Sequence, residues 1–368
     1  MKCKKQILMV VFNPIEYDAR VIRAAEAIES LGESVTVISC NSSLNYKNAN
    51  FQSIVYTSMR KGPLLLISFW FYVLKYGLQK KKEIRLLYVH DYYTAFLGLL
   101  LSRFIDARWI YDAHELLLKG KNEKSSMRDM LFILMERLSI RKADLVITAN
   151  DERRRIIKHI YQLRNVISVR NIAPRFINIG SVSKEDMIVY QGYLSEKRNV
   201  SYFIKLLIYL PPRIKLKLIG TGPDVKLYQE MVQSLSLFDR VIFTGMIPYA
   251  KLLNESKSCK LGIVYYDSEG LNNYYCSPNK IYEYAQLGIP MLVSPQPFLK
   301  KIVSKYHIGE VLDLNAPLET QADIISKLMN NYKYYQQGMK NFLADNSYEK
   351  EMAKLKYATY SILSKNLS

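Results

Sequence analysis

The chain has 368 residues, of which 49% are hydrophobic, and this is enough to bury two cores of ordinary domain size. The composition excludes an intrinsically disordered protein. The formal net charge is +19, with +13 in residues 1–180 and +6 in residues 181–368. A basic face of this kind can meet nucleic acid or an anionic membrane. Because no RNP-like, helix-turn-helix or zinc-finger pattern occurs, we expect no nucleic-acid binding.

Cysteine and histidine usage excludes further classes of protein. The cysteines show no paired spacing, which argues against a disulfide framework and a zinc ribbon; they are Cys3, Cys40, Cys259 and Cys276. The four histidines form no H-x-x-x-H pair, so only carboxylates remain as ligands for an ion such as Mg²⁺. The first apolar run, residues 7–12, is too short for a signal peptide. We expect a cytoplasmic protein in a reducing compartment.

The first half of the chain alternates short apolar strands with helical patterns. The strands lack polar alternation, as parallel strands covered on both faces do. They are predicted at residues 7–12, 34–39, 86–90, 108–112, 145–148 and 166–169. The clearest helices between them cover residues 18–31, ending at Gly32, and residues 129–141.

A basic and apolar segment from Arg60 to Lys82 stands out in this half. Its apolar run, residues 64–74, is too short to cross a bilayer, which needs about 20 residues. One interpretation is a buried core helix with solvated ends. The other is a helix in the membrane interface, with Trp70 and Tyr72 at headgroup depth and lysines on anionic lipid. The segment is therefore a candidate for peripheral contact with the inner face of the cytoplasmic membrane.

A second series of strands and helices follows. Its strands are predicted at residues 188–190, 216–219, 241–243, 261–265, 291–293 and 311–314, and its helices include residues 225–234 and 280–287. Two such βαβ series predict an α/β protein with two doubly wound, Rossmann-like domains. The weakly patterned stretch 171–186 is the predicted linker. We expect domains at residues 1–175 and 176–345, followed by residues 346–368, which contain an amphipathic helix with no strand after it.

Titratable side chains follow two neighbouring strands of the first domain. His90 and Asp91 end one strand, and Asp112, His114 and Glu115 end the next. Because ligands of such sheets bind beyond the carboxyl ends of the strands, these residues predict acid–base chemistry or hydroxyl binding. Taken singly, each could instead be a cap or a loop hydrogen bond. The turn after the first strand carries no G-x-G-x-x-G, which disfavours a nicotinamide dinucleotide site there.

Glycine turns follow the first three strands of the second domain. Glycine lets the backbone approach a ligand closely; the glycines concerned are Gly192, Gly220, Gly222 and Gly245. Lys197 and Arg198 follow the first of these turns, where a cation could meet a phosphate or could simply be solvated.

The stretch from Ser277 to Glu283 is the most informative part of the chain. Ser277 is the predicted N-cap of a helix and Pro278 its first residue. Free backbone N–H groups at a helix start bind anions, and Lys280 adds a full charge. Glu283, about one turn further along, could accept hydrogen bonds from a diol. This pairing suits a diphosphate with its ribose, although an ordinary capped helix would have the same residues.

These motifs in this order resemble the group 1 retaining glycosyltransferases of GT-B fold, the family 4-like enzymes. The second half contributes Gly220-x-Gly222-Pro223, Pro278-Asn279-Lys280-x-x-Glu283-Tyr284 and Gly288-x-Pro290. The first half contributes Asp18-x-Arg20-Val21 and Tyr111-Asp112-x-His114-Glu115. The resemblance implies two Rossmann-like domains facing a cleft, with the last helix crossing back to the first domain. It further implies transfer from a nucleotide-sugar to an acceptor, often a lipid-linked glycan precursor in cell-envelope synthesis.

The resemblance implies a role for each site residue. Arg198, with Lys197 as a fallback, matches the diphosphate-binding position, and Asn279 and Lys280 lie at the diphosphate helix. Glu283 matches the ribose-binding glutamate. The remaining donor contacts, which approach the nucleotide through the backbone, would be Gly192, Gly220, Gly222, Pro223, Ile247 and Pro248. His114 would lie near the acceptor and the donor sugar, with candidates to orient the hydroxyl at Asp91, Asp112 and Glu115.

The chain departs from the family pattern at one position. The first glutamate of the usual E-x7-E falls at Tyr275, so the usual contact to the donor sugar is missing. Glu269, or Asn272 and Asn273, could replace it. A sugar-nucleotide 2-epimerase of related fold and a non-catalytic carbohydrate- or membrane-binding module are the alternative functions.

The implied reaction needs no cofactor, because the nucleotide-sugar is a substrate. An acceptor hydroxyl displaces a nucleoside diphosphate, and cations stabilise the charge that develops on it, so we expect no metal requirement.

Overall fold

A computed structural model of the chain describes residues 5–41, 47–118, 126–176, 182–247 and 249–364. The chain divides into two compact units. The first comprises Met1–Asn171 with Glu349–Ser368, and the second comprises Ile172–Tyr348. The sequence predicted domain limits after residues 175 and 345, and the structure changes unit after residues 171 and 348.

The first unit contains a parallel sheet. Within its described residues the strands are β1 (Gln6–Val11), β2 (Ser34–Cys40), β3 (Gln52–Tyr56), β4 (Ile84–His90), β5 (Arg108–Ala113), β6 (Leu145–Thr148) and β7 (Val166–Ser168). Their order is β3-β2-β1-β4-β5-β6-β7, and all pairings are parallel. β1 is buried along its whole length, as expected for the middle of a sheet covered on both faces. The strand order reverses between β1 and β4, which is where open α/β sheets bind ligands.

Helices connect these strands. They are α1 (Ala19–Glu29), α2 (Gly62–Gln79), α3 (Tyr92–Ile105), α4 (Met127–Ile140) and α5 (Asp151–Tyr161). Asp18 begins α1 by accepting a hydrogen bond from the backbone N–H of Val21 at 3.2 Å. Ser126 and Asp129 form a capping box at the start of α4. No helix within the described ranges is long and apolar enough to cross a bilayer.

The second unit contains another parallel sheet. Its strands are β8 (Glu185–Gln191), β9 (Lys215–Ile219), β10 (Val241–Gly245), β11 (Cys259–Val264), β12 (Met291–Val293) and β13 (Gly309–Val311), ordered β10-β9-β8-β11-β12-β13. Successive side chains of a strand point to opposite faces. Ile188 and Tyr190 accordingly join one buried apolar cluster, and Met187 and Val189 join the other.

Short helices flank this second sheet. They are α6 (Val200–Leu206), α7 (Val225–Ser234), α8 (Tyr249–Ser256), α9 (Leu271–Tyr274), α10 (Lys280–Gln286), α11 (Pro297–Tyr306), α12 (Leu318–Asn330) and α13 (Gln336–Asp345). Gly262 allows α10 to lie close to β11, because a Cβ there would come within 2.5 Å of the Tyr284 ring.

The last helix, α14 (Tyr348–Ser364), belongs to the first unit from Glu349 onward. Glu351 is fully buried and pairs with Arg170 at 2.6 Å between Oε1 and Nη2. It also accepts a hydrogen bond from the backbone N–H of Arg170 at 2.9 Å. These bonds tie α14 to the end of the first unit's main segment. The structure therefore confirms the α/β fold class with two doubly wound units and the return of the last helix.

Three local predictions were wrong. β3 was not predicted, because it is a partly exposed edge strand whose sequence, Gln-Ser-Ile-Val-Tyr, has little apolar signal. The last strand was predicted at residues 311–314 but forms at Gly309–Val311. Its apolar residues continue past the point where pairing with β12 stops. Pro278 was predicted as a first helical residue but precedes the helix, which begins at Lys280, as in the predicted range 280–287, with Asn279 as its cap.

Candidate functional site

The ends of β4 and β5 bring three titratable residues of the first unit together. Nδ1 of His90 lies 3.1 Å from Nε2 of His114. Oδ2 of Asp112 lies 3.6 Å from Nδ1 of His90 and 3.9 Å from Nε2 of His114. His90 is fully buried and Asp112 nearly so, whereas the His114 side chain is 14% exposed. His114 is therefore the member of this group that a ligand can reach.

Arg20, from the first turn of α1, neutralises the buried Asp112. Its Nη2 lies 2.6 Å from Oδ1 of Asp112, and its Nε donates to both carboxylate oxygens at 3.1 Å. The Tyr88 hydroxyl donates to Oδ2 at 3.1 Å. Bonds from two side chains fix the carboxylate, so Asp112 positions its neighbours rather than acting as a free base.

Burial and charge set the protonation of this group. Burial alone would raise the pKa of Asp112, but the charges of Arg20, His114 and His90 outweigh it and hold the pKa below its ordinary value. Burial lowers the pKa of His90 to about 3 and also lowers the pKa of His114. Both imidazoles are therefore neutral near pH 7. A neutral His114 can accept a proton or a hydrogen bond from a hydroxyl group.

Asp91 lies beside this group in an unusual backbone conformation. Its φ is +65°, which is rare outside glycine. Its carboxylate accepts a hydrogen bond from the backbone N–H of Tyr92 at 2.8 Å and so begins α3. Burial, followed by the charge of Glu115, raises the pKa of Asp91 well above its ordinary value. Glu115 itself is exposed. Strained backbone with a shifted carboxyl pKa is typical of functional positions.

The same residues are the candidates for a metal site. Ligand atoms of His90, Asp112 and His114 lie within 4.8 Å of one another. A divalent ion could use two imidazole nitrogens and one carboxylate oxygen. It would have to share Asp112 with the guanidinium of Arg20, which already supplies the compensating charge. We therefore interpret Asp112 as the ion-pair partner of Arg20 and not as a metal ligand.

In the second unit the predicted glycine turns stack on one another. The backbone N–H of Gly192 donates to Ile219, and that of Gly220 donates to Gly245. A Cβ on Gly220 would lie 1.9 Å from the carbonyl oxygen of Gly192, and one on Gly222 would lie 1.9 Å from that of Leu194. Glycine is required at both positions, because any side chain would collide with fixed backbone. The glycines therefore let the turns after β8 and β9 pack backbone against backbone.

Two cations lie beside the first of these turns. The Arg198 guanidinium lies 4.1 Å from the centre of the Tyr266 ring, and Nζ of Lys280 lies 5.6 Å from the same centre. Nζ of Lys280 also lies 4.8 Å from the centre of the Tyr190 ring. Nη1 of Arg198 is buried without a hydrogen-bond partner, and neither cation forms an ion pair with any described carboxylate. The pair is a candidate site for an anion.

Burial makes Lys280 a sensitive member of this pair. Loss of solvent, and then the charge of Arg198, lower the pKa of Lys280 to about 7, while Glu283 opposes the shift. Near pH 7 part of the Lys280 population is therefore the neutral amine, which gains a proton when an anion arrives. The site therefore favours a ligand with several negative charges, such as a diphosphate.

Glu283 has a buried carboxylate. The side chain is 3% exposed, and its Oε2 accepts a short hydrogen bond from Nε2 of Gln191. Gln191 also accepts a hydrogen bond from the hydroxyl of Ser256 at 3.3 Å. A role of Glu283 in ribose binding stays a prediction. Because Gln191 already donates to the Glu283 carboxylate, such a role would involve Gln191 as well.

The predicted start of this helix needs a correction. Ser277 is not the N-cap, because the first helical hydrogen bonds run from Tyr282 and Glu283 to the carbonyl of Asn279. Ser277 and Pro278 precede the helix in non-helical backbone, since the residue before a proline avoids helical geometry. α10 has seven residues, so the side-chain cations carry more of the anion site than the helix does.

The other predicted donor residues vary in their surroundings. Lys197 and Pro223 are exposed, and Ile247 is partly buried against the core. Pro248 lies outside the described residues. Of the replacements considered for the missing glutamate, Asn273 donates to Asp267 at 2.7 Å, whereas Glu269 is exposed.

Sequence reasoning gave no role to several residues that shape these groups. They are Arg20, Tyr88, Gln191 and Tyr266. Arg20 had one available signal, because it lies in a motif at the head of the first helix. The others look like ordinary strand residues, and only the fold shows what they contact.

Two family models match the chain. The model described as "Glycosyltransferase Family 4" matches residues 19–171, and the model described as "Glycosyl transferases group 1" matches residues 175–342. The two matches together cover both units. No curated protein matches the chain in sequence.

Several solved structures share the fold. Sucrose-phosphate synthase from Thermosynechococcus elongatus is 15% identical with a TM-score of 0.77, covering 98% of this chain and 100% of that one. HepE of Anabaena in complex with UDP and glucose is 16% identical with a TM-score of 0.72, covering 98% and 100%. WaaG, a glycosyltransferase involved in lipopolysaccharide biosynthesis, is 13% identical with a TM-score of 0.71, covering 96% and 99%.

Proposed function

Given that the chain belongs to the group 1 glycosyltransferases of GT-B fold and depends on a nucleotide-sugar, we propose which transfer it performs. The proposed acceptor is a hydroxyl group of a glycan or of a lipid-linked glycan in bacterial cell-surface polysaccharide synthesis. The proposed outcome at the anomeric carbon is retention. WaaG, from lipopolysaccharide biosynthesis, supports this acceptor class by analogy, and HepE, solved with UDP-glucose, supports a nucleotide-sugar donor.

The pair of Arg198 and Lys280 carries the proposal. Both cations lie beside the Gly192 turn, and no described carboxylate pairs with either of them. Two partly buried cations without a counterion are unfavourable, so their place in the fold is best explained by an anion that arrives with the substrate. A nucleoside diphosphate supplies that anion. We assign the rest of the nucleotide to the stacked turns of Gly220 and Gly222, which are both partly exposed.

The chemistry follows from the position of these charges. As the bond from the anomeric carbon to the diphosphate breaks, negative charge grows on the leaving oxygen. Arg198 and Lys280 would stabilise that charge more strongly in the transition state than in the ground state. The acceptor hydroxyl forms the new bond, and its proton passes to the departing diphosphate on the same face. This route gives retention and requires no strong protein base.

The first unit would contribute His114. Its neutral imidazole is partly exposed and is held by His90 and Asp112. We assign to it the positioning of the acceptor hydroxyl or of the donor sugar. Asp91 and Glu115, with coupled charges, are the candidates to bind further hydroxyl groups. Dialysis against EDTA should leave turnover unchanged, because protein cations take the charge that a metal would otherwise stabilise.

A donor panel tests the proposal. Thermal shift and calorimetry with UDP, GDP, ADP and their sugars identify the nucleotide. The preferred labelled sugar nucleotide is then incubated with bacterial lipid extract, and label in the lipid phase is counted. Arg198→Ala, Lys280→Met and Glu283→Ala should each lower kcat/KM by about a hundredfold or more, while melting confirms that each variant folds.

Lys205→Ala is the matched control, since this exposed lysine lies on α6 away from the glycine turns. It should behave as the wild type. Unchanged nucleotide affinity in both Arg198→Ala and Lys280→Met would refute the anion site. Conversion of the sugar nucleotide without any acceptor would instead identify a sugar-nucleotide epimerase.

A further inference from the structure

Helix α4 exposes an apolar stripe that its role in the fold does not explain. Five large apolar side chains on it are more than half exposed, namely Met127, Met130, Leu131, Leu134 and Leu138. They recur every three or four residues, so they lie along one side of the helix. The opposite side carries the buried Phe132, Glu136 and Ile140. α4 is therefore apolar on both sides, and one of them faces away from its own unit.

Helix α2 has a second stripe of the same kind. Leu64, Ile67, Phe71 and Leu78 are exposed, and Phe69 and Val73 on the other side are buried. α2 and α4 both pack on α3. Trp70 of α2 donates to the carbonyl of Tyr93 at 2.9 Å, and the Tyr93 ring lies 5.2 Å from that of Phe132 of α4. The two stripes thus belong to one layer of helices.

The exposed charges on or beside these two helices are basic, and the partly buried Glu83, which follows α2, pairs with Lys80. The exposed basic residues on or beside the two helices are Arg60, Lys61, Lys75, Lys81, Lys82, Arg128, Arg137, Arg141 and Lys142. α2 contains no acidic residue. The acidic residues of α4 are Asp129, which belongs to the capping box, and Glu136, which is buried. Apolar side chains bordered by uncompensated cations match the chemistry of an anionic lipid surface.

We propose that the outward faces of α2 and α4 together form a docking surface for anionic membrane. The apolar side chains of α4 and α2 enter the interfacial layer, and the lysines and arginines contact lipid phosphates. The surface extends the segment predicted from sequence by a second helix, for which the sequence predicted no membrane contact. It does not depend on the identity of the donor or the acceptor.

Sedimentation with vesicles tests this surface. Wild-type protein should bind vesicles of phosphatidylcholine with phosphatidylglycerol, bind pure phosphatidylcholine vesicles weakly, and be released by salt. The double variant Leu131→Glu/Leu134→Glu should lose at least about tenfold in vesicle affinity, because two apolar side chains no longer enter the interface. Lys75→Gln and Arg137→Gln should each lose about fivefold.

Matched controls lie in the second unit. Ile208 is 52% exposed, close to the 53% of Leu134, and Lys226 is an exposed lysine. Ile208→Glu and Lys226→Gln should bind vesicles as the wild type does. Arg198→Ala should also bind vesicles normally, so failure of the donor site is distinguishable from failure of this surface.

Two results would overturn the proposal. The first is that wild-type protein does not bind phosphatidylglycerol vesicles. The other is a wild-type dimer that becomes monomeric in Leu131→Glu/Leu134→Glu without any vesicle binding, because the stripe would then be an interface between copies of the chain.

Discussion

The ammonium group of Lys280 lies directly over Gly192, so that a Cβ at position 192 would come within 2.9 Å of its Nζ. The φ of Gly192 is +137°, which L side chains rarely adopt. The glycine therefore leaves the room that Lys280 occupies beside the turn. A larger residue at position 192 would push the Lys280 side chain out of this place.

Gly192→Ala should displace Lys280 and strain the turn. We expect a destabilisation of about 1–3 kcal/mol and a larger relative loss of nucleoside diphosphate affinity. Urea unfolding and calorimetry measure the two effects. Gly32→Ala is the control, because Gly32 also has a positive φ, +83°, but has open space around its Cβ. Equal nucleotide affinity in Gly192→Ala and the wild type would contradict the assignment.

Nucleotide binding should depend on the protonation of Lys280. With a pKa of about 7, the Lys280 side chain of the free protein loses its charge as pH rises above 7. The affinity for diphosphate should therefore fall from pH 6 to pH 9. Binding near pH 8 should also take up a proton, which calorimetry in buffers of different ionisation enthalpy detects. Lys280→Arg keeps its charge throughout this range and should flatten the profile.

The same lowered pKa predicts a stability effect of opposite sense. A lysine whose folded pKa lies below its unfolded value of about 10.4 binds fewer protons in the folded state between the two values. Its burial therefore destabilises the fold most at low pH, and stability increases as pH rises from about 7 to about 10. Lys280→Met should remove this slope. If the slope of stability against pH is the same in Lys280→Met, a group other than Lys280 causes it.

Breaking the buried pair of Arg20 and Asp112 should strongly destabilise the fold. Arg20→Met leaves an unpaired buried carboxylate, and we expect a loss of about 3–5 kcal/mol in urea unfolding. Because the pKa of Asp112 is lowered in the fold, this contribution is complete above about pH 3.9 and is lost as pH falls through the lower folded value. Asp112→Asn in the Arg20→Met background should restore part of the loss. Arg154→Met, which breaks an exposed pair with Asp151, should change stability by less than about 1 kcal/mol.

His114 should act in turnover rather than in donor binding. His114→Asn should lower kcat by roughly 10²-fold to 10⁴-fold and leave the nucleotide affinity unchanged, since its imidazole belongs to the first unit and the cations to the second. His159→Asn, at an exposed position of α5, is the control. Weakened nucleotide binding with normal kcat would show that His114 had been given the wrong role.

Much of the proposed donor site could be predicted from the sequence, because its parts are local. The glycines at 192, 220 and 222 follow short apolar strands, and Asn279 to Glu283 form one continuous motif. Turn chemistry and strand ends are properties of a few neighbouring residues, so their order survives in the sequence. The cap of α10 was misplaced by two residues, since Ser277 and Asn279 are both plausible caps and only hydrogen bonding distinguishes them.

Sequence alone established the two series of βαβ units, the family resemblance and the residues that could carry charge. It could not decide which of those charges are used within the protein and which are left for a ligand. Asp112 pairs with Arg20, 92 residues away, and Glu283 accepts a hydrogen bond from Gln191 at the same separation. Arg198 and Lys280, in contrast, have no described carboxylate partner. Such pairings depend on which strands become neighbours and how deeply each side chain is buried, and both are set only when the whole sheet closes.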